Sequence, residues 1–204
     1  MISIIDYGVG NLGSLVNIHK RLGLEVEIAD SINLIDNSTH LILPGVCSFD
    51  AAMEKLHESG LREALEKAVT ERKTPVLGIC LGMQMMTEGS EEGTLAGLGW
   101  IRGRAKRFKS SAKLKFPHVG WNTVNSVRQN RLFDRDSVLR YYFVHSFFVS
   151  CEEQHDIIGQ TDYGVDFTSA YQRENIYGVQ FHPEKSQHSG LQLLKNFAHW
   201  SGKL

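Results

Sequence analysis

The chain has 204 residues, 42% of them hydrophobic and 22% charged, and 22 Lys and Arg against 23 Asp and Glu give a formal net charge of -1. That length supports one sizeable core, so a single domain over residues 1–204 is expected. The near-neutral balance excludes a broad field for nucleic acid or an anionic membrane, and no apolar run approaches the roughly 18 residues of a membrane span.

Periodicity predicts strand 1–6, helix 12–22, strands 25–29 and 40–44, helices 50–58 and 60–72, strand 75–79 and helix 82–88. Strands alternating with helices need crossover connections, which build a parallel sheet covered on both faces. The first strand runs into Gly8, Gly10 and Gly13, spaced G-x-G-x-x-G, and Asp30 follows about twenty residues on, the layout of a dinucleotide fingerprint. Asp6 and Tyr7, however, put a carboxylate where a phosphate would be unwelcome. A tight turn is the better reading, and an NAD-dependent oxidoreductase is the remote alternative.

From about Trp100 the texture changes. "WNTV", "LRYYFVHSFFV" and "IYGVQF" are strand-like, with turns such as Asp162 to Gly164 between them, and they read as antiparallel strands appended to the parallel core. The closing segment "GLQLLKNFAHW" places Leu191, Leu194, Phe197 and Ala198 at the spacing of a helix packed by one face. Seven basic residues between Arg102 and Lys115, with one aromatic among them, read as a solvated face and not a nucleic-acid site. His145, in an apolar strand, reads as a satisfied core histidine.

Three cysteines, Cys47, Cys80 and Cys151, lie far apart without a C-x-x-C pair, which argues against a disulfide framework or a zinc site. The chain opens on a strand-like segment and not a charged leader, so a reducing, cytoplasmic setting without export is expected. Cys80 differs from the other two. In "TPVLGICLGMQ" an apolar strand runs into Cys80 and a helical segment follows at once, with Gly78 and Gly82 where side chains would crowd a sharp strand-to-helix turn. This is the nucleophile-elbow pattern with sulfur in place of oxygen, at a helix end that favours negative charge. A thiol acting on an amide also needs a base, and "YGVQFHPEKS" supplies His182 with Glu184 two residues on. In extended chain these two point the same way, so the carboxylate would orient the imidazole. Acyl transfer requires backbone N–H donors for an oxyanion. Leu81, after the nucleophile, is one candidate, and Gly45 and Val46, where "LILPGVCSF" turns at the same sheet edge, are the others.

The Gly78–Gln84 run with H-P-E at 182–184 resembles the class I (triad) glutamine amidotransferases. "DYGVGN", "LPGV", "GICLGMQ", "PHVGWN", "YYFVHSFFV" and "GVQFHPEKSQ" are similar, in order and over nearly the whole chain, to the glutaminase subunits of imidazole glycerol phosphate synthase. The resemblance implies an α/β fold with a mostly parallel central sheet, flanking helices and appended antiparallel strands. It implies nucleophile Cys80, base His182, orienting Glu184, and glutamine contacts at Gln84, Ser146 and Phe147. It also implies a heterodimer with a (β/α)8 barrel cyclase that takes up the ammonia, with Asn11, Trp121 and Lys185 at the interface. No cofactor, metal, nucleic acid or membrane is expected.

Two other readings share the triad: a paralogous glutaminase feeding sugar amidination for surface polysaccharides, which "LAGLGWI" suits equally, and a stand-alone cysteine hydrolase. One residue departs from the family. Its loop usually reads P-G-V-G, and Cys47 replaces the last glycine beside the proposed oxyanion donors, with less backbone freedom. Either a strained active loop or a negative φ with the thiol packed under the loop is expected there.

Overall fold

The structure, a computed structural model, describes residues 1–109, 115–133 and 139–200. The first half runs β1 (Ile2–Ile5), α1 (Leu12–Arg21), β2 (Val26–Ala29), α2 (Ile32–Asp36), β3 (His40–Leu43), α3 (Phe49–Glu58), α4 (Arg62–Glu66), β4 (Val76–Ile79) and α5 (Leu81–Met85). The second runs β5 (Gly89–Ser90), β6 (Gly103–Arg107), β7 (His118–Thr123), β8 (Asn125–Ser126), β9 (Arg140–His145), β10 (Phe147–Cys151), β11 (Ile157–Asp162), β12 (Asp166–Arg173), β13 (Ile176–Val179) and α6 (Gln187–Ala198).

Strands β2, β1, β3, β4 and β13 lie side by side in parallel, and β12, β10, β6 and β5 continue the same sheet. β1, β3, β4 and β13 are buried along their whole length, which is why their sequences are runs of Ile, Leu and Val and not alternations. Two apolar cores cover the sheet, one built around Phe49, Leu56 and Leu65, the other around Leu15, Phe143, Phe181 and Phe197. A two-stranded antiparallel ribbon, β7 with β9, packs outside the main sheet. The mixed α/β fold with a mostly parallel sheet is therefore as expected.

Four details differ from the sequence reading. β13, the "IYGVQF" strand, is not an appended strand: it pairs in parallel with β4 and antiparallel with β12, and so forms the seam between the two halves. The predicted helix 60–72 is α4 followed by a π-helical stretch, Lys67–Glu71. The predicted helix 82–88 ends at Met85, because Thr87 folds back with its hydroxyl on the Gln84 carbonyl at 2.7 Å. On α6 the buried positions include Leu193, while Leu191 and Ala198 are only partly covered.

The glycine loop is a turn. Gly8 and Gly10 have φ of +83° and +122°, which glycine adopts without penalty. Asp6 fills the turn with its own carboxylate, Oδ1 accepting from the Gly8 amide at 3.0 Å, and nothing approaches the Cβ position of Gly13. An anion site is thus pre-empted from within. The loop is tied to its neighbour, since the Tyr7 hydroxyl donates to the Pro44 carbonyl at 2.6 Å. Of the basic run, Arg102, Arg104, Lys106, Arg107 and Lys109 are exposed, and Arg104 and Lys106 alternate with buried Gly103 and Ala105. Lys113, also in that run, lies outside the described residues.

Candidate active site

Cys80 terminates β4 with φ +55° and ψ -108°, a conformation that side-chain-bearing residues rarely adopt and one that stores strain. The turn is held by close packing on all sides. A Cβ on Gly82 would collide with the Leu43 carbonyl, one on Gly78 with the Met86 methyl and the Gly82 backbone, and one on Gly45 would come within 2.8 Å of Leu81 Cβ. Glycine is needed here because backbone meets backbone. The Cys80 amide donates to the Val179 carbonyl at 2.8 Å, which locks the elbow to β13.

Just beyond β13, His182 is buried, and its Nδ1 lies 2.8 Å from Glu184 Oε1, both side chains being about 5% exposed. Glu184 reaches this position from a single 3₁₀ turn, Pro183–Lys185, and not from the extended chain expected; the proline starts that turn. Burial alone would lower the imidazole pKa. Hydrogen bonds to Cys80 and Glu184, reinforced by their negative charge, outweigh that and push it up to about 9. A proton is thus held on the ring between a sulfur and a carboxylate, the arrangement of a nucleophile, a base and an orienting acid.

A cleft of about 390 Å³ opens over the sulfur. Its lining combines Gly45, Val46 and Cys47 of the loop after β3, Ser146 and Phe147 at the β9–β10 junction, and Gln84, Glu92, His145 and Lys185. The backbone of Gly45 and Val46 therefore borders the same cleft as Cys80 and Leu81. Gln84 is buried, its Nε2 donating to the Phe147 carbonyl at 3.2 Å and to Gln180 Oε1 at 3.0 Å. Asn11 caps α1 by accepting from the Ser14 amide. Trp121 is 40% exposed and edge-on to Tyr142, whose carbonyl accepts from the His182 amide. Lys185 is exposed at the mouth of the cleft. Cys47 does not have a left-handed φ, and its thiol is exposed and not packed under the loop. Partial desolvation of the sulfur and the nearby Glu92 charge push its pKa up despite Lys55.

Three residues escaped the sequence reading. Glu92 brings a carboxylate to the rim, with Oε2 accepting from the Phe49 amide at 2.8 Å. Gln180, fully buried, donates from Nε2 to the Cys80 sulfur at 3.7 Å. His118 meets His145 inside the wall of the cleft. Only the amide within an otherwise apolar "YGVQF" hinted at Gln180. All three cysteines are free, and no helix of the described residues is long and apolar enough to cross a membrane.

Residues 3–200 match the family described as glutamine amidotransferase class-I. The chain is 48% identical over 202 residues, 97% of it and 99% of the relative, to "Imidazole glycerol phosphate synthase subunit HisH" of Leptospira interrogans. It is 50% identical over 198 residues, 97% of it and 98% of the relative, to "Imidazole glycerol phosphate synthase subunit HisH 2" of Methanococcus maripaludis. Among solved structures, one titled as a glutamine amidotransferase superposes with a TM-score of 0.77 at 16% identity over 99% of both chains. PurLQS from Thermotoga maritima gives 0.72 at 17% identity over 96% of both chains. These structural likenesses show the fold.

Proposed function

The chain belongs to the class-I glutamine amidotransferases, and on that premise we propose that it is the glutaminase subunit of an imidazole glycerol phosphate synthase, one domain over residues 1–204 in the cytoplasm, releasing ammonia from L-glutamine for a cyclase subunit in histidine biosynthesis. The observation that carries this reading is the imidazole of His182, held between Cys80 and Glu184 in a cleft sized for an amino acid.

In the mechanism, Cys80 Sγ attacks the side-chain amide carbon of glutamine. The amide oxygen becomes an oxyanion that the Leu81 amide meets, together with Gly45 or Val46. His182 passes its proton to the departing nitrogen, the C–N bond breaks, and a γ-glutamyl thioester remains with ammonia free. His182, now neutral, takes a proton from water as the water attacks the thioester. Collapse of that second intermediate breaks the C–S bond, releases glutamate and returns the sulfur as thiolate beside the protonated His182. Glu184 keeps the ring in the tautomer that faces sulfur and steadies its charged form. Gln84, Ser146 and Phe147 shape the glutamine pocket, and Glu92 supplies the negative charge that an α-ammonium group seeks.

The relatives are named as subunits, which supports a partner, and we assign it the (β/α)8 barrel fold. Asn11, Trp121 and Lys185 all lie in the cleft's surroundings: α1 packs against the 183–185 turn, and Trp121 sits edge-on to Tyr142 of β9, whose carbonyl accepts from the His182 amide. The imidazole glycerol phosphate synthase name on the relatives favours this acceptor over sugar amidination. The family match and the self-filled glycine turn stand against a nicotinamide enzyme.

The test is glutamate release by the purified chain with and without an added barrel cyclase. Activity that rises with the cyclase and vanishes in Cys80→Ala is expected. Turnover surviving in Cys80→Ala would overturn the assignment, and indifference to the cyclase would leave a stand-alone hydrolase.

A further inference from the structure

The "PHVGWN" segment contributes two polar side chains that the proposed reaction leaves without a role. His118 and Asn122 project from the same inward face of β7, opposite exposed Val119 and Trp121. His118 Nδ1 lies 2.9 Å from His145 Nε2, and His145 Nδ1 lies 2.8 Å from the Phe147 carbonyl. Asn122 Nδ2 lies 3.4 Å from His118 Nε2.

The ends of this chain fix its direction. The Phe147 carbonyl only accepts, so His145 carries a proton on Nδ1. At the other end the Asn122 amide is oriented by two backbone groups: the Thr123 amide donates to its Oδ1 at 2.8 Å, and its Nδ2 donates to the Asp162 carbonyl at 2.9 Å. Nδ2 therefore faces His118 as a donor, and His118 Nε2 accepts. What remains is His118 Nδ1–H donating to a bare His145 Nε2. Protonating either ring fully would set donor against donor. Aromatic contacts hold the rings in place, His118 stacked between Phe143 and Tyr163 at centroid distances of 4.8 and 3.9 Å, and His145 against Phe108 and Phe167. Both nitrogens of each ring are used, and neither ring is short of a partner among the described residues.

The chain does not end at Phe147. The same carbonyl accepts from Gln84 Nε2, which also donates to Gln180, which donates to the Cys80 sulfur. The backbone on the other side of His145 bears on the nucleophile too, since the Val144 carbonyl is 3.8 Å from the Cys80 sulfur. His145 thus stands at the corner where β9 leaves the ribbon and β10 joins the main sheet, between the residue that touches the thiol and the two that wall the cleft.

We infer that His118 and His145 are a neutral, doubly Nδ1-protonated pair of positioning residues that fixes the Phe147 carbonyl and Gln84, and so sets the shape of the glutamine pocket. The inference deepens the glutaminase reading and rests on it for the identity of the substrate, but not for the state of the pair. Burial pushes both imidazoles down, to about 4 for His118 and about 3 for His145, with the nearby His118 and His182 rings adding to the effect at His145. The titratable groups facing the pair are His182 across the cleft and the Tyr163 phenol, whose hydroxyl is engaged by the Lys115 carbonyl. One protonated imidazole, His182, therefore serves the site, and the two rings of the pair stay neutral beside it.

Nitrogen-15 spectra of histidine-labelled protein at pH 7 read the pair without reference to activity. Neutral Nδ1–H forms at both His118 and His145 are expected; an Nε2–H form or an imidazolium at either overturns the inference. Kinetics supply the second arm. His118→Asn retains a donor nitrogen near the Nδ1 position, whereas His118→Phe keeps the ring stack and loses the donor. His118→Phe should raise the glutamine KM about tenfold, the size of one lost hydrogen bond, with kcat changed far less, and His118→Asn should restore much of the loss. An unchanged KM in His118→Phe, or equal damage in both variants, would leave the pair as packing only. Failure of the glutaminase reading is seen separately, in Cys80→Ala, which leaves the tautomers unaltered.

Discussion

Glu184 Oε1 accepts from His182 Nδ1 at 2.8 Å, and because both side chains are almost wholly buried, the proton on that ring is shielded from water on the side away from the sulfur. The pair is a short link between two residues of one turn, so its geometry is inherited from the backbone and not from a long flexible side chain.

Replacing Glu184 by Gln keeps a partner for Nδ1 but removes the charge that supports imidazolium. The imidazole pKa, now about 9, should fall, and the limb of the pH–rate profile that reports it should move to lower pH, with turnover reduced at least tenfold at pH 7. A profile superposable on that of the parent would remove Glu184 from the electrostatics of the site.

The same raised value bears on stability. His182 lies above its ordinary value in the folded chain, so the stabilisation it brings is complete below about pH 6.5 and is lost as pH rises through about 9. Urea midpoints of the parent should decline across that window, and those of His182→Asn should decline less. Equal slopes would contradict the coupling of the ring to Cys80 and Glu184.

Gly82→Ala tests the packing of the elbow. The added methyl meets the Leu43 carbonyl, a backbone atom at the end of a fully buried strand. A loss of about 1–3 kcal/mol in unfolding free energy is expected, together with loss of glutaminase activity as the Cys80 turn shifts. Gly13→Ala, where nothing approaches the Cβ position, is the control and should be neutral or slightly stabilising on a helix.

Cys47→Gly tests the departure from the family pattern. The loop rests without a left-handed φ at this position, so the cysteine is unstrained here and resists any motion of the loop that needs one. Partner-free turnover should rise in Cys47→Gly, while stability falls by about 0.4–1 kcal/mol because glycine enlarges the unfolded ensemble. Unchanged turnover would mean that the Gly45 and Val46 amides reach the oxyanion without such a motion.

The parallel half of the fold was readable from the sequence because buried strands and amphipathic helices write unlike periods into the chain. β13 misled, since "IYGVQF" is equally apolar beside a parallel or an antiparallel neighbour and the neighbour is chosen by tertiary contact. α2 was missed because "INLID" spans only five residues, too short for a periodic signal. The Cys80 elbow announced itself through Gly78 and Gly82, whose close contacts are local in sequence. Gln180 and His118 stayed hidden for the opposite reason. Their partners lie 100 and 27 residues away, and a buried amide or imidazole has no sequence spacing by which to be recognised.

The position of β13 at the seam has a consequence for how the chain comes into being. β4 delivers the sulfur, but the strand that fills the space beside it, and carries His182 just beyond its end, is made some hundred residues later. A chain still growing on the ribosome carries Cys80 long before it carries His182. Until β13 slots between β4 and β12, the edge of β4 is unpaired and open to wrong partners, and the Cys80 thiol has no imidazole beside it. Meeting of the two side chains thus presupposes assembly of the sheet: His182 reaches the Cys80 sulfur only in a molecule whose β13 is threaded between β4 and β12.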